Sequence, residues 1–248
     1  MKRSTKISKL IGCIISLIIL YLIFLLLYYL KKNSLAFPNP NYIIKEAFII
    51  LTKGSTYIAL LFSLLRLILC IIISFIFSFI FASISYKYSF FKDIINPFVV
   101  LFRSTPVICL SLLFIIMFGT NLSVYVITNL VLFPLFYESI YQAFMNIDSN
   151  IIDAYKLDSK FNIRVLFKIY LPLSLNSIRT SLIEGLGLGF KVLLTAEYLS
   201  GKTNSLGYSL FLAYQNNIDM TEIYSYALIL IFLSILINSL CNLIKNKI

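Results

Sequence analysis

The sequence predicts an all-α integral membrane protein with six transmembrane helices. Three observations predict this class: 60% of the 248 residues are hydrophobic, only 12% are charged, and the mean hydropathy is +0.95. A soluble domain carries about 25% charged residues. Half of that share leaves too few polar side chains to cover a surface that faces water, so we expect the chain to lie in a bilayer.

The basic and the reactive residues agree with this class. The formal net charge is +11, but Lys and Arg lie between apolar runs instead of forming one patch. That distribution indicates membrane topology, and we expect no nucleic acid partner. The four cysteines lie within apolar runs without C-x-x-C spacing, and the chain has no histidine. We therefore expect neither a metal site nor a cofactor in this chain.

The first predicted span is the run of 21 uncharged residues at 10–30. It follows four basic residues and ends with Tyr28, Tyr29 and Leu30. A signal peptide has an apolar core of about 7–15 residues that ends in small residues. This run is longer, so we expect a retained anchor helix with a cytoplasmic N-terminus. Residues 1–37 then form the tail, the anchor and the start of an outer loop.

The remaining spans follow from the lengths of the apolar runs. Pro38 and Pro40 break the hydrophilic stretch after the anchor. The uncharged run 104–137 has 34 residues, about 50 Å as one helix, which exceeds a hydrocarbon core of about 30 Å. It must therefore fold back, with a turn predicted at 118–121. The five further spans are predicted at about 57–85, 95–117, 122–145, 173–199 and 222–244.

Six spans place both termini on the same side of the membrane. The predicted inner segments hold the N-terminal bases, the cluster between Lys156 and Lys168, and the C-terminal pair Lys245 and Lys247. The first outer loop is also basic, but the overall bias of Lys and Arg favours a cytoplasmic N-terminus and C-terminus.

The segment 148–172 is charged in an otherwise apolar chain. Its sequence from residue 153 is DAYKLDSKFNIRVLFKIYLP, and 151–160 contains neither glycine nor proline. A helix there would have an apolar face. That face fits a groove of a cytoplasmic partner or rests on lipid headgroups, and the pattern alone leaves both interpretations open.

This segment resembles the cytoplasmic signature of permease subunits of ABC importers, which reads E-A-A, three residues, G, nine residues, I-x-L-P. Aspartate replaces the glutamate, tyrosine the second alanine, and serine the glycine. The matching positions are Asp153, Ala154, Tyr155, Ser159, Ile169, Leu171 and Pro172.

A second stretch, 185–208, is similar to permeases of the nitrate, sulfonate and taurine family. That family has a Trp-Lys-Val-like run, then Ala-Glu, then a loop with Gly-Leu-Gly-Tyr. Here the corresponding stretches are 190–192, 196–197 and 205–208, and SLLRLILC at 63–70 resembles the opening of the family's second span. The likeness covers about 38–245, so we expect one permease domain over 38–248.

The resemblance implies a multi-pass transport subunit of the cell membrane, surrounded by lipid, and not an enzyme. A homodimer of the chain would enclose the path, and an extracytoplasmic binding protein would deliver a small anionic solute of the sulfonate, taurine or nitrate kind. Two cytoplasmic ATPase subunits would use the ATP and receive the segment as a coupling helix between spans four and five. The coupling residues would be Asp153, Ala154, Tyr155, Leu157, Ser159, Ile169, Leu171 and Pro172.

Charged residues within the fifth span are candidates for the substrate path, because intramembrane charge is costly. Glu184 and Lys191 lie on one helical face, about 10.5 Å apart along the axis. Lys191 either attracts an anion in the path or pairs with a carboxylate such as Glu138, and both interpretations stay open. Glu197 lies near the outer end of the span, where it is also expected to be interfacial.

The alternative function is an ion-gradient-driven secondary transporter or a channel. Such proteins often carry an internal repeat, which the two halves of this chain lack, and the cytoplasmic signature would then be unexplained. A membrane enzyme is disfavoured by the missing histidine. The Gly-Lys-Thr at 201–203 lacks the first glycine of a phosphate-binding loop and is expected to be an outer turn.

Overall fold

The computed structural model describes residues 15, 19, 21–30, 37–148, 150–152, 162–216 and 220–245, and the regular elements among them are helices. A short π-helical turn, Leu166–Tyr170, lies between the helices Ile163–Val165 and Leu171–Ser200. The helices are α1 (Tyr21–Leu30), α2 (Pro40–Thr52), α3 (Gly54–Lys87), α4 (Ser89–Ser104), α5 (Val107–Met145), α6 (Ile163–Val165), α7 (Leu171–Ser200), α8 (Leu206–Asn216) and α9 (Thr221–Lys245).

Among the described residues, three helices are long and apolar enough to cross a membrane, namely α3, α5 and α9 as far as Leu243. They contain the predicted second, fourth and sixth spans. Helix α7 contains the predicted fifth span; it is also long but is less apolar on average. Its charged side chains explain the difference. The chain is therefore all-helical with several candidate spans.

The predicted third span at 95–117 is not one helix. Helix α4 ends at Ser104, the backbone is extended at Thr105 and Pro106, and α5 begins at Val107. Proline lacks an N–H donor and disfavours helical geometry in the residue before it. Thr105 accordingly has φ −78° and ψ 128°. The third span of the prediction therefore consists of parts of two helices, because one proline divides the apolar run.

The turn predicted at 118–121 corresponds to a break within α5 at Gly119, where φ is 70° and ψ is 177°. Residues with a side chain rarely adopt a positive φ, so glycine suits this position. Nearby, Lys202 Nζ donates a hydrogen bond of 2.6 Å to Asn121 Oδ1. This contact brings the break in α5 and the loop after α7 to the same end of the molecule.

The core lies where α5 packs against α7 and α3. Its largest side chains are aromatic and fully buried, including Phe136, Tyr137 and Phe190. Phe136 packs on Gly185, where an added β-carbon would be 2.4 Å from Phe136 Cζ. Glycine in α7 therefore permits the close packing of α5 against it.

Candidate translocation path and coupling site

The structure describes the two ends of the predicted coupling segment, namely 148 with 150–152, and 162–172. Asp153, Ala154, Tyr155, Leu157 and Ser159 lie outside the described residues. The second described part begins at Asn162, whose side chain accepts a hydrogen bond of 3.0 Å from the Val165 backbone N–H. Ile169 and Leu171 are half-buried and pack against the core, and Pro172 is exposed in the first turn of α7.

Three aromatic residues join the end of this segment to the neighbouring helices; we call Tyr86, Phe144 and Tyr170 the end cluster. The ring centroids of Tyr86 and Tyr170 are 5.0 Å apart. The ring centroid of Phe144 lies 5.9 Å from that of Tyr86 and 5.8 Å from that of Tyr170. Tyr86 also donates a hydrogen bond of 3.2 Å to the Tyr170 hydroxyl, whose pKa is raised by burial. The cluster ties the π-helical turn to the ends of α3 and α5.

A cavity of about 520 Å³ lies between α4, α5 and α7. Glu184, near the middle of α7, is one of its lining residues, so the cavity is at mid-helix depth. The extended Thr105 also borders it. The polar side chains that line this central cavity are Arg103, Thr105, Glu138, Ser139, Gln142 and Glu184.

An ion pair lines this cavity. Arg103 Nη1 donates to Glu138 Oε2, and the two side chains are 68% and 39% exposed. Exposed charges at this depth are costly against hydrocarbon, because no water compensates them there. The face of α4, α5 and α7 that carries them is therefore suited to water or protein, and not to lipid.

Lys191 is exposed and lies on the same face of α7 as Glu184 and Leu188, about two turns closer to the C-terminal end of that helix. Glu138, the carboxylate considered above as a partner for Lys191, contacts Arg103. Lys191 thus lies on the face of α7 that borders the cavity, but its own side chain does not line the cavity.

Glu197 lies inside the fold, near the C-terminal end of α7. It is 0% exposed: Arg66 Nη1 donates to Glu197 Oε1 at 2.9 Å, and the Ser63 hydroxyl donates to Oε2 at 2.8 Å. The Gly207 backbone N–H adds a longer hydrogen bond of 3.4 Å. Two elements, α3 and the start of α8, are thereby held on α7 by one carboxylate.

The loop after α7 is fixed by the same group of residues. Arg66 Nη2 donates to the Thr203 carbonyl at 3.3 Å, and the Leu206 N–H donates to Ser63 Oγ at 3.1 Å. Gly207 lies so close to α7 that an added β-carbon would be 2.5 Å from the Tyr198 nitrogen. The buried pair therefore holds the turn at 201–205 in place. Within this turn, burial and the nearby Arg66 lower the pKa of Lys202.

Sequence reasoning missed both ion pairs. Ser63 and Arg66 were within the SLLR resemblance and Glu197 within the Ala-Glu resemblance, but nothing in the sequence showed that they meet. Arg103 and Glu138 carried a weaker signal, as charges that flank a long uncharged run. In the described part of the chain, no group of three or more Cys, Asp or Glu residues is placed to hold a metal ion.

Comparisons with known proteins agree with the resemblance at the level of the broad family. Residues 74–248 match the family described as "binding-protein-dependent transport system inner membrane component". A comparison with curated proteins found no match.

Among solved structures, the fold is similar to a chain from the "Inward facing conformations of the MetNI methionine ABC transporter". The identity is 15% and the TM-score 0.58, over 79% of this chain and 99% of that one. At this identity the similarity concerns the fold alone.

Proposed function

The chain belongs to the family of binding-protein-dependent transport system inner membrane components, and on that premise we propose a complete role for it in an importer. As a permease subunit of an ABC importer it lies in a membrane. We propose that it spans the cell membrane six times with both termini in the cytoplasm, and that two copies enclose the path. A binding protein outside would deliver the solute, and two cytoplasmic ATPase subunits would hydrolyse the ATP.

The observation that carries this proposal is the charged central cavity at mid-helix depth. An exposed ion pair is costly against lipid, whereas it is compatible with a water-filled path or an interface between two permease copies. The family supplies the reason for such a path. A gradient-driven transporter would also need intramembrane charge, but the family match favours the importer.

Coupling to the ATPase would use 148–172. The π-helical turn lies near the end of this segment, directly before α7, and the end cluster packs it against α3 and α5. Force applied to the segment would therefore reach three helices that border the core. π-Helical turns often occur at functional sites, in agreement with this role.

Ala154→Arg tests the coupling. Ala154 is the smallest side chain of the expected docking face, and an arginine there would place an unpaired charge in a packed interface, which costs several kcal/mol. We expect the variant to insert into membranes normally, to lose copurification of the ATPase, and to lose uptake. Ala154→Ser, which stays small and uncharged, should retain both.

Wild-type copurification and uptake in Ala154→Arg would contradict the docking role. The segment would then rest on lipid headgroups.

We further propose that the solute carries an acidic group, of the sulfonate, taurine or nitrate kind, that Lys191 attracts. Lys191→Ala should lower uptake at least about tenfold, the effect of losing one charge-assisted contact, and Lys191→Arg should keep part of it. Both variants should assemble with the ATPase. If both instead fail to accumulate in the membrane, Lys191 is structural and the acidic group loses its support.

A further inference from the structure

We propose that helix α2 lies in the interface between bilayer and water, and that Lys45 and Lys53 bind the phosphate groups of anionic lipids there. This inference goes beyond the proposed function, because it concerns the outward surface of the chain and not the path. Three features carry it: the position of α2 in the fold, the distribution of apolar side chains around it, and the exposed lysines and tyrosines beside it.

The first argument is the position of α2. The helix has 13 residues, which gives about 20 Å and is too short to cross a hydrocarbon core of about 30 Å. Lys53 alone separates it from α3, which is long enough to cross. A cavity of about 450 Å³ is lined by Ser55 of α3 together with Asn204 and Glu222. The junction of α2 and α3 therefore lies at the end of the molecule that holds the turn after α7 and the start of α9, where a spanning helix leaves the bilayer.

The second argument is the distribution of side chains around α2. Ile43, Ala47 and Ile50 form a buried stripe, and the last two pack with Ile229 of α9. At 3.6 residues per turn, exposed apolar side chains lie on both sides of this stripe and polar ones lie opposite it. The exposed apolar residues are Tyr42, Ile44, Phe48, Ile49 and Leu51, and the exposed polar ones are Asn41, Lys45 and Thr52. A docked protein would cover one flank of the helix, whereas lipid covers both.

The third argument is the kind of residue that is exposed at this level. Tyr42 and Tyr57, on either side of the junction, are 64% and 59% exposed. Tyrosine is enriched where a bilayer meets water, because its ring is apolar and its hydroxyl is polar. Lys45 and Lys53 are also exposed, and neither is in an ion pair with another described residue.

Lipid phosphates are the anions that this arrangement fits. The flexible stem of a lysine keeps its ammonium group among the headgroups while the helix itself lies deeper. The only carboxylate of α2, Glu46, is half-buried and lies towards Tyr226 of α9. In the proposed orientation these lysines belong to the first outer loop, which is more basic than the distribution of Lys and Arg in membrane proteins favours. Binding of anionic lipid gives those charges a physical reason.

The experiment uses a single tryptophan as a probe, because the chain has none of its own. Phe48→Trp places it on α2 at a side chain that is 68% exposed. The full chain is reconstituted in vesicles that mix phosphatidylcholine with phosphatidylglycerol, and in turn one of the two lipids carries bromine on its acyl chains, which quenches tryptophan on contact. We expect quenching, with phosphatidylglycerol preferred at this site about fivefold or more, the effect of one lysine at an anionic surface.

Variants of the probe chain test the cause of this preference. Lys45→Gln together with Lys53→Gln should bring the preference close to one. Lys87→Gln is the matched control for charge, since it removes an exposed lysine from the opposite end of α3, and it should keep the preference. Phe232→Trp is the control for position, because this exposed residue lies near the middle of α9, and both lipids should quench it alike.

Equal quenching of Phe48→Trp by the two lipids, or a preference that survives the double lysine change, would overturn the inference. Absence of quenching would overturn it as well. Emission at long wavelength would then place α2 in water, and emission at short wavelength would place a second copy of the chain or another protein on it. The proposed function is judged separately, by copurification of the ATPase and its loss in Ala154→Arg.

Discussion

At the scale of single residues, the buried pair of Arg66 and Glu197 shows how a costly group is stabilised inside an apolar fold. Each ion would cost several kcal/mol on leaving water without compensation. Here the carboxylate accepts from a guanidinium, a hydroxyl and a backbone N–H, so most of its lone pairs have partners. Arg66 lies in the predicted second span and Glu197 in the predicted fifth span. The sequence does not predict that they pair, since their contact depends on how α3 packs beside α7.

Removal of one member of this pair should destabilise the fold strongly. In Glu197→Gln, the Arg66 guanidinium loses its counter-ion. It stays buried, since Arg66 is only 8% exposed. We expect a loss of about 3–5 kcal/mol, measured as a lower melting temperature in detergent. The double variant Arg66→Met, Glu197→Gln should recover part of the loss. Glu138→Gln, which breaks an exposed pair, should cost about 1 kcal/mol or less.

An equal loss of stability in Glu197→Gln and Glu138→Gln, or no recovery in the double variant, would show that an unpaired buried charge is not the cause of the loss.

At the scale of elements, local sequence predicted where helices exist better than where they break. Long apolar runs predicted α3, α7 and α9 closely, because each run is bounded by charges or turn residues. The break between α4 and α5 has a sequence signal in Pro106, which predicts a kink in the third span but not the complete separation into two helices. The π-helical turn carried no sequence signal, because its extra residue is set by how Tyr170 packs on α3 and α5.

The end cluster gives a prediction at this scale. Tyr170→Ala would remove the ring that joins the π-helical turn to Tyr86 and Phe144, whereas Tyr170→Phe keeps the ring contacts and loses only the hydroxyl. We expect Tyr170→Ala to lower the ratio of solute-stimulated to basal ATP hydrolysis severalfold, and Tyr170→Phe to keep most of it. Truncation of a packed aromatic also costs about 3–5 kcal/mol of stability, so the comparison is made at a temperature where both variants are folded.

Phe118→Ala is the control, because this exposed aromatic lies beside the break in α5, near the opposite end of the molecule. Full stimulation in Tyr170→Ala would show that the end cluster does not transmit force.

At the scale of the whole molecule, composition was sufficient to predict a membrane protein. A chain with so few charged residues and such long apolar runs is solvated by a bilayer and not by water. The ends of the molecule required the structure. The contact of Lys202 with Asn121 defines one end, and the end cluster beside Lys87 and Ser89 defines the other. Which end faces the cytoplasm is decided in our proposal by the basic segments, since the fold by itself is compatible with either orientation.

This orientation can be tested with single cysteines in a background whose four native cysteines are replaced by alanine. The replacement is needed because Cys109 is exposed and would react by itself. Ser89→Cys and Ser159→Cys should be protected from an impermeant thiol reagent in sealed right-side-out vesicles, and Thr203→Cys should be labelled. Thr203 suits this purpose because it is exposed, whereas its neighbour Asn204 has φ 52°, which cysteine adopts poorly. Detergent should make all three positions reactive.

Labelling of Ser89→Cys and Thr203→Cys from the same side would contradict the six-span arrangement. The reversed pattern would place the coupling segment outside the cell, where no ATPase could receive it.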